Sequence, residues 1–251
     1  MIAFPSATGR GLNIAVIDSG VNLRHPHIFA PTRGVEWDAG AISSGDQTWE
    51  DTIGHGTAVM AAIQEAAPEA NYHAIKLFGN SLRSSSPQLM KAIEWAIDNE
   101  MDIVNLSLGT PNFDYRSEMQ ALVDRAEAAG VVLVSARSSG ASPVLPGSLE
   151  RVISVDVDWD LARARFRVNA SPLTTPNANQ DSPFFFASGF PRSLPGVPPA
   201  RNLNGVSFAV ANMAGFAARA CEQHGRGFAA VHAALVAEAQ RLEVEFASIQ
   251  S

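Results

Sequence analysis

The chain predicts a three-layer α/β fold, a mainly parallel β-sheet flanked by helices on both faces. Short β-branched runs recur along it, and helical stretches separate them. Its 251 residues, 46% of them hydrophobic, suffice for one sizeable core, so residues 1–251 read as a single domain.

The elements follow in order. Asn13 to Ile17 reads as a buried strand, and Thr57 to Ala67 as an Ala-rich helix that ends before Pro68. Tyr72 to Leu77 is the next strand. The helix at Pro87 to Asn99 places Leu89, Ile93, Ala96 and Ile97 on one face. Asp102 to Leu106 is a strand, and Arg116 to Ala129 a helix stopped by Gly130. Val131 to Ser135 and Val152 to Asp156 complete the strands. Residues 167–205, rich in Pro, Asn, Ser and Gly, read as loops with one or two short strands. Helices at Ser207 to Ala220 and Phe228 to Phe246 close the chain.

Composition narrows the function. A net charge of −7 argues against nucleic acid as the main partner. No apolar run is long enough to span a bilayer. Met1-Ile2-Ala3-Phe4-Pro5-Ser6 lacks the basic start of a leader, so a cytoplasmic location is the default. The single cysteine, Cys221, cannot form an intrachain disulfide and reads as a small core residue. No metal or cofactor is expected. His25-Pro26-His27 offers two ligands without a third, and Asp156, Asp158 and Asp160 read as one solvated strand face.

Three residues carry the chemistry. Asp18 directly follows the first strand, where the ends of a parallel sheet form a ligand crevice. His55 stands between two glycines at a helix start, suited to general base and then acid. Ser207 opens another helix, whose first amides and dipole suit a developing oxyanion. Each alone is equally a turn former, a satisfied histidine or a helix cap; together they have the composition of a catalytic triad.

Their contexts resemble the subtilisin-like serine peptidases, or subtilases. Asn13 to Val21 is similar to the family's strand ending in a catalytic Asp, and Gly54-His55-Gly56-Thr57-Ala58-Val59 to its histidine motif. Asn204-Gly205-Val206-Ser207-Phe208-Ala209 is similar to its nucleophile motif, continued by Met213-Ala214-Gly215. Ala67-Pro68-Glu69-Ala70, Glu94 to Ile97, Val104 to Gly109 and Pro146 to Val157 extend the likeness over roughly residues 11–220.

The resemblance implies acyl transfer. His55 takes the proton of Ser207 as it attacks a peptide carbonyl, Asp18 orients His55, and the Ser207 amide helps hold the oxyanion. Ser107, Leu108 and Gly109 would run beside the substrate backbone as an added strand. Ser135, Ala136 and Arg137 would line the substrate site, with acidic groups favoured at Arg137. The implied partner is a peptide or protein substrate, in a processing complex with a partner subunit.

The chain also departs from the family. An Asn side chain normally completes the oxyanion hole after the strand matched by Val131 to Ser135. Ser138 takes that place here, and no Asn occurs between Val131 and Val168. Losing one such donor costs on the order of 3 kcal/mol, a figure measured on a subtilisin. Val210-Ala211-Asn212-Met213 replaces the family's Ser-Pro-His-Val, and the family's calcium loop is missing near residues 62–68. Phe184, Phe185 and Phe186 suit a substrate groove or the core. The leading reading is a serine endopeptidase of restricted specificity that processes a precursor or leader peptide. An inactive peptide-binding scaffold and a peptide ligase or macrocyclase are the alternatives.

Overall fold

The computed structural model describes residues 3–38, 41–43, 48–79, 81, 84–169, 183–198 and 201–249. Its centre is a nine-stranded sheet built from β1 (Asn13–Asp18), β2 (Thr32–Asp38), β3 (Ala41–Ser43), β4 (Asn71–Lys76), β5 (Ile103–Leu106), β6 (Val132–Ala136), β9 (Ile153–Val157), β10 (Phe166–Val168) and β11 (Phe185–Ala187). A separate two-stranded hairpin joins β7 (Ser138–Ser139) to β8 (Ser142–Pro143).

The strand order is β10-β11-β9-β6-β5-β1-β4-β2-β3, and only the outermost pairings at either edge, β10·β11 and β2·β3, are antiparallel. Five helices complete the layers: α1 (His55–Ala66), α2 (Ser86–Asp98), α3 (Arg116–Ala128), α4 (Val206–His224) and α5 (Phe228–Ile249).

Both faces of the sheet are covered, which explains why its central strands are mostly apolar. Along β1, Ile14 and Val16 enter one core with residues of α1, α4 and α5. Ala15 and Ile17 enter a second core with residues of α2 and α3. Side chains two apart share a face, so one run of sequence fills both layers. At the strength of α4, Phe208 through Cys221 are all buried, because the helix lies across β5, β6, β9 and β11 and also packs on α1 and α5.

The predicted helices and inner strands are present, most with ends within about two residues; α4 and α5 run further toward their C-termini. Strand β2 is the principal addition. Its charged residues and Gly34 hide it in the sequence, and the glycine has a packing reason. A Cβ at Gly34 would stand 2.4 Å from the Trp49 ring. Of the region 167–205, β10 and β11 form its described strands, while 170–182 and 199–200 lie outside the described residues. Phe185 is core. Phe184 and Phe186 lie on the other face, under the guanidinium groups of Arg137 and Arg167 at 4.1 and 3.7 Å from the ring centres.

No helix among the described residues is long and apolar enough to cross a membrane. Cys221 is buried, and that burial pushes its thiol up to about 12, so it stays protonated and unreactive.

Candidate active site

β1 is flanked by β4 on one side and β5 on the other, although β4 is reached first along the chain. This is the switch point of a parallel sheet, where crevices open beyond the strand ends. Ile17 pairs with both Ile75 and Leu106, so Asp18 and Ser107 leave the sheet at one edge.

Asp18 is 1% exposed, and its Oδ1 lies 2.8 Å from His55 Nδ1 while accepting the Ser19 N–H at 2.7 Å. Its Oδ2 is buried without a hydrogen-bond partner. Burial of His55 disfavours the charged ring. The Asp18 hydrogen bond and the charges of Asp18 and Asp51 outweigh that, so the His55 pKa is raised.

The sequence reading missed Asp51, which builds the other half of this corner. Its carboxylate accepts from Ser19 Oγ, from the Ile53, Gly54 and Thr57 N–H groups, and from Thr57 Oγ1, all within 2.9 Å. Ser19 Oγ in turn accepts the Gly56 N–H at 2.9 Å. These bonds tie the turn after β1 to the start of α1 and fix where His55 points. Burial works against the Asp51 charge, yet the Thr57 hydroxyl and the three backbone donors hold its pKa below the usual value. As a lone aspartate in a loop, Asp51 carries no signal of this role in the sequence.

Both glycines beside His55 have a structural cause. Gly54 caps α1 in the left-handed conformation, at φ 90°. A Cβ at Gly56 would stand 2.3 Å from the Gly20 carbonyl, so only glycine lets the two loops touch.

Ser207 sits in the first turn of α4, where leading N–H groups have no intrahelical partner. The neighbouring Phe208 ring lies 5.7 Å from that of His55, which brings the helix start beside the imidazole. The Ser207 hydroxyl donates to the Ser107 carbonyl at 3.1 Å rather than to His55. Ser107 answers by donating its own hydroxyl to the Ser207 carbonyl at 3.2 Å, and the buried Asn105 side chain donates to Ser107 Oγ at 2.9 Å. Asn105 therefore supports the segment that holds the serine.

The substrate-lining residues separate into two groups. Leu108 and Gly109 make no backbone hydrogen bond to another described residue, so their edge is open to an extended chain. Just beyond them, Thr110 pairs with Leu145 through two bonds of 2.9 Å, which fixes the segment's direction. Residues 135–137 offer no such edge. Ser135 is fully buried between β5 and β9, and Ala136 is buried beside it. The Arg137 N–H donates to the Val155 carbonyl, and its carbonyl accepts from Val144.

Two of the expected side chains already have partners. Ser138 Oγ donates to Asp156 Oδ1 at 3.0 Å, in a hairpin that folds back over β9, so it is not an idle oxyanion donor. The Arg137 guanidinium stacks on Phe184 and stands 3.9 Å from Asp156, so its charge is already partnered. The acidic cluster is likewise divided, since Asp156 faces Ser138 and Arg137 while Asp158 binds Arg167 at 2.8 Å.

Comparison with known proteins agrees with this geometry. The profile of the Subtilase family matches residues 9–245. Subtilisin amylosacchariticus of Bacillus subtilis subsp. amylosacchariticus is 30% identical over 235 residues, covering 86% of this chain. The chain spans 57% of that relative's length. Subtilisin BL of Lederbergia lenta is 31% identical over 225 residues, covering 84% of this chain and 76% of the relative. The crystal structure of a lanthipeptide protease has the same fold, with a TM-score of 0.63 at 18% identity over 91% of this chain and 80% of that one. The chain belongs to the subtilase family.

Proposed function

We propose that the chain is a serine endopeptidase that cleaves peptide bonds through an acyl-enzyme on Ser207. The observation that carries this reading is the buried 2.8 Å bond between Asp18 and His55 at the sheet's switch point, beside the start of α4. Asp18 accepts a hydrogen bond from the His55 Nδ1–H, which leaves Nε2 free as base. A peptide laid along Leu108 and Gly109 adds a strand and brings its carbonyl to Ser207. Ser207 then exchanges its bond to the Ser107 carbonyl for one to His55, as catalytic contacts often tighten only with substrate bound. His55 takes the hydroxyl proton as Oγ attacks, and returns it to the leaving amine. Water then attacks the acyl-enzyme carbonyl as its proton passes to His55, and His55 returns that proton to Ser207 Oγ as the ester bond breaks.

A restricted specificity, for a precursor or leader peptide, belongs to the same proposal. With the Ser138 hydroxyl engaged by Asp156, fewer side-chain donors remain for the oxyanion. Binding energy from remote parts of the substrate then has to supply more of the rate. A structural neighbour whose title calls it a lanthipeptide protease is consistent with such use of the fold.

The bond from Ser207 to the Ser107 carbonyl favours one rival, an inactive peptide-binding scaffold. Labelling with a fluorophosphonate probe separates the two. The folded wild type labels and Ser207→Ala does not. Folded wild type that never labels would establish the scaffold instead. Product masses from a peptide library then distinguish hydrolysis from ligation.

A further inference from the structure

A second polar centre lies away from the triad, where three loops meet beside α1 and α4. Glu65, at the end of α1, stands between two guanidinium groups. Arg163 Nη1 is 2.5 Å from its Oε2, and Arg192 Nε is 3.6 Å from its Oε1. The Arg192 distance is an ion pair and not a hydrogen bond. Arg192 makes no side-chain hydrogen bond to any described residue, although its side chain is only 31% exposed.

The donors outnumber the acceptors. Arg163 Nε and Arg192 Nη1 are shut off from solvent without an acceptor. A buried donor left unpaired is costly, so a protein seldom keeps two of them in one cluster without use. Two guanidinium charges face one carboxylate, which leaves a surplus of one positive charge in a chain of net charge −7. His27 does not enlarge that surplus. Burial lowers the His27 pKa, and Arg192, His25 and Arg163 lower it further.

The centre is held in place by the helix that carries the nucleophile. Asn212 of α4 donates to the Ser188 and Phe190 carbonyls at 2.9 and 3.1 Å, fixing the loop that leads to Arg192. Its Oδ1 accepts from Arg163 Nη2 at 3.4 Å. Asn212, which stands where the resemblance places a histidine, thus has a definite task here. Asn212 lies about 7.5 Å further along α4 than Ser207. Glu65 lies ten residues, about 15 Å, beyond His55 along α1, a span of about five residues of extended peptide. Phe29, 53% exposed, lies 5.8 Å from the Arg192 guanidinium and gives the site an apolar wall.

We infer that Arg192 and Arg163 form an anion-binding exosite that takes the carboxylate of an acidic peptide segment, outside the scissile bond. The remaining Arg192 N–H group supplies a charge-assisted bond to a carboxylate, and an entering carboxylate balances the surplus charge. The peptide nature of the ligand rests on the peptidase reading, whereas the anion site rests on the arginines alone.

The test uses Ser207→Ala protein, so that no probe is cleaved and the result stands whether or not the wild type labels with fluorophosphonate. Fluorescein-labelled hexaglutamate binding is followed by anisotropy at low salt, with hexaglutamine as the uncharged control. Hexaglutamate is expected to bind and hexaglutamine not. Adding Arg192→Gln is expected to raise Kd about tenfold or more, and Arg192→Lys to raise it less. An unchanged thermal melt shows that these variants remain folded. An equal Kd for Arg192→Gln, or no hexaglutamate binding at all, overturns the exosite. Displacement of the peptide by inorganic phosphate at the same concentration as unlabelled hexaglutamate overturns its assignment to peptides.

Discussion

Two loops leave the same edge of the sheet, and they are built in opposite ways. The loop after β1 is saturated with buried hydrogen bonds: Asp18 holds His55, Ser19 bridges to Gly56, and Asp51 gathers the start of α1. The loop after β6 is turned away, with Ser138 and Arg137 both drawn toward Asp156. The acid–base half of the site is thus held by local, shielded contacts. The half expected to stabilise an oxyanion has given its side chains to the neighbouring strand. A buried network is rigid because breaking any member strands the others without water. The contrast shows that two loops at one sheet edge can be fixed by quite different sets of partners.

The contrast can be broken most decisively at Asp18. Asp18→Asn is expected to lower kcat about ten-thousandfold, by removing the acceptor that sets the His55 tautomer. It should also move the acidic limb of the pH–rate profile to lower pH. Neutral His55 is the base, and its pKa is raised in the wild type by Asp18, so activity falls as pH drops through that raised value. Losing the Asp18 charge and bond lowers it. A limb that stays in place would show that another group controls the profile.

Asp51 tests whether the network is the support that its geometry suggests. Asp51→Asn is expected to cost about 2–4 kcal/mol near neutral pH, because five donors then lose an ionised acceptor. The sign of its pH dependence follows from the lowered folded-state pKa. Its stabilisation is full above the unfolded-state pKa of about 4 and is lost as pH falls through the lower folded value. Urea melts at neutral pH and near pH 3 should therefore show the gap between wild type and variant narrowing in acid. A constant gap would mean that the Asp51 charge is not what stabilises the corner.

The smallest effect is expected at Ser138. With its hydroxyl on Asp156, Ser138→Ala should change kcat by less than about threefold. A hundredfold fall would return Ser138 to the oxyanion hole.

Much of this was readable along the chain. The runs at 13–17, 102–106 and 131–135 announce strands because both faces of the sheet are covered, which favours apolar side chains at most positions. The helix at 116–128 is bounded by Gly130, which adopts φ 76° as a stop. Asp18 was visible at a strand end and His55 between glycines, each in a local motif. Strand β2 was not, since Arg33, Gly34 and Glu36 spoil its pattern and its order comes from pairing with β4 and from Trp49. Asp51 was passed over because a lone aspartate in a loop carries no signal until its five donors converge.

The sequence by itself determined the layers and the residues available for chemistry, because periodicity and short motifs are local properties. The tertiary structure alone decided how those residues are used. It paired Ser138 with Asp156, buried Ser135, rested Ser207 on Ser107, and set Arg163 and Arg192 around Glu65. These partners are far apart in the chain, and hydrogen bonds and ion pairs depend on distances in space that no local pattern encodes.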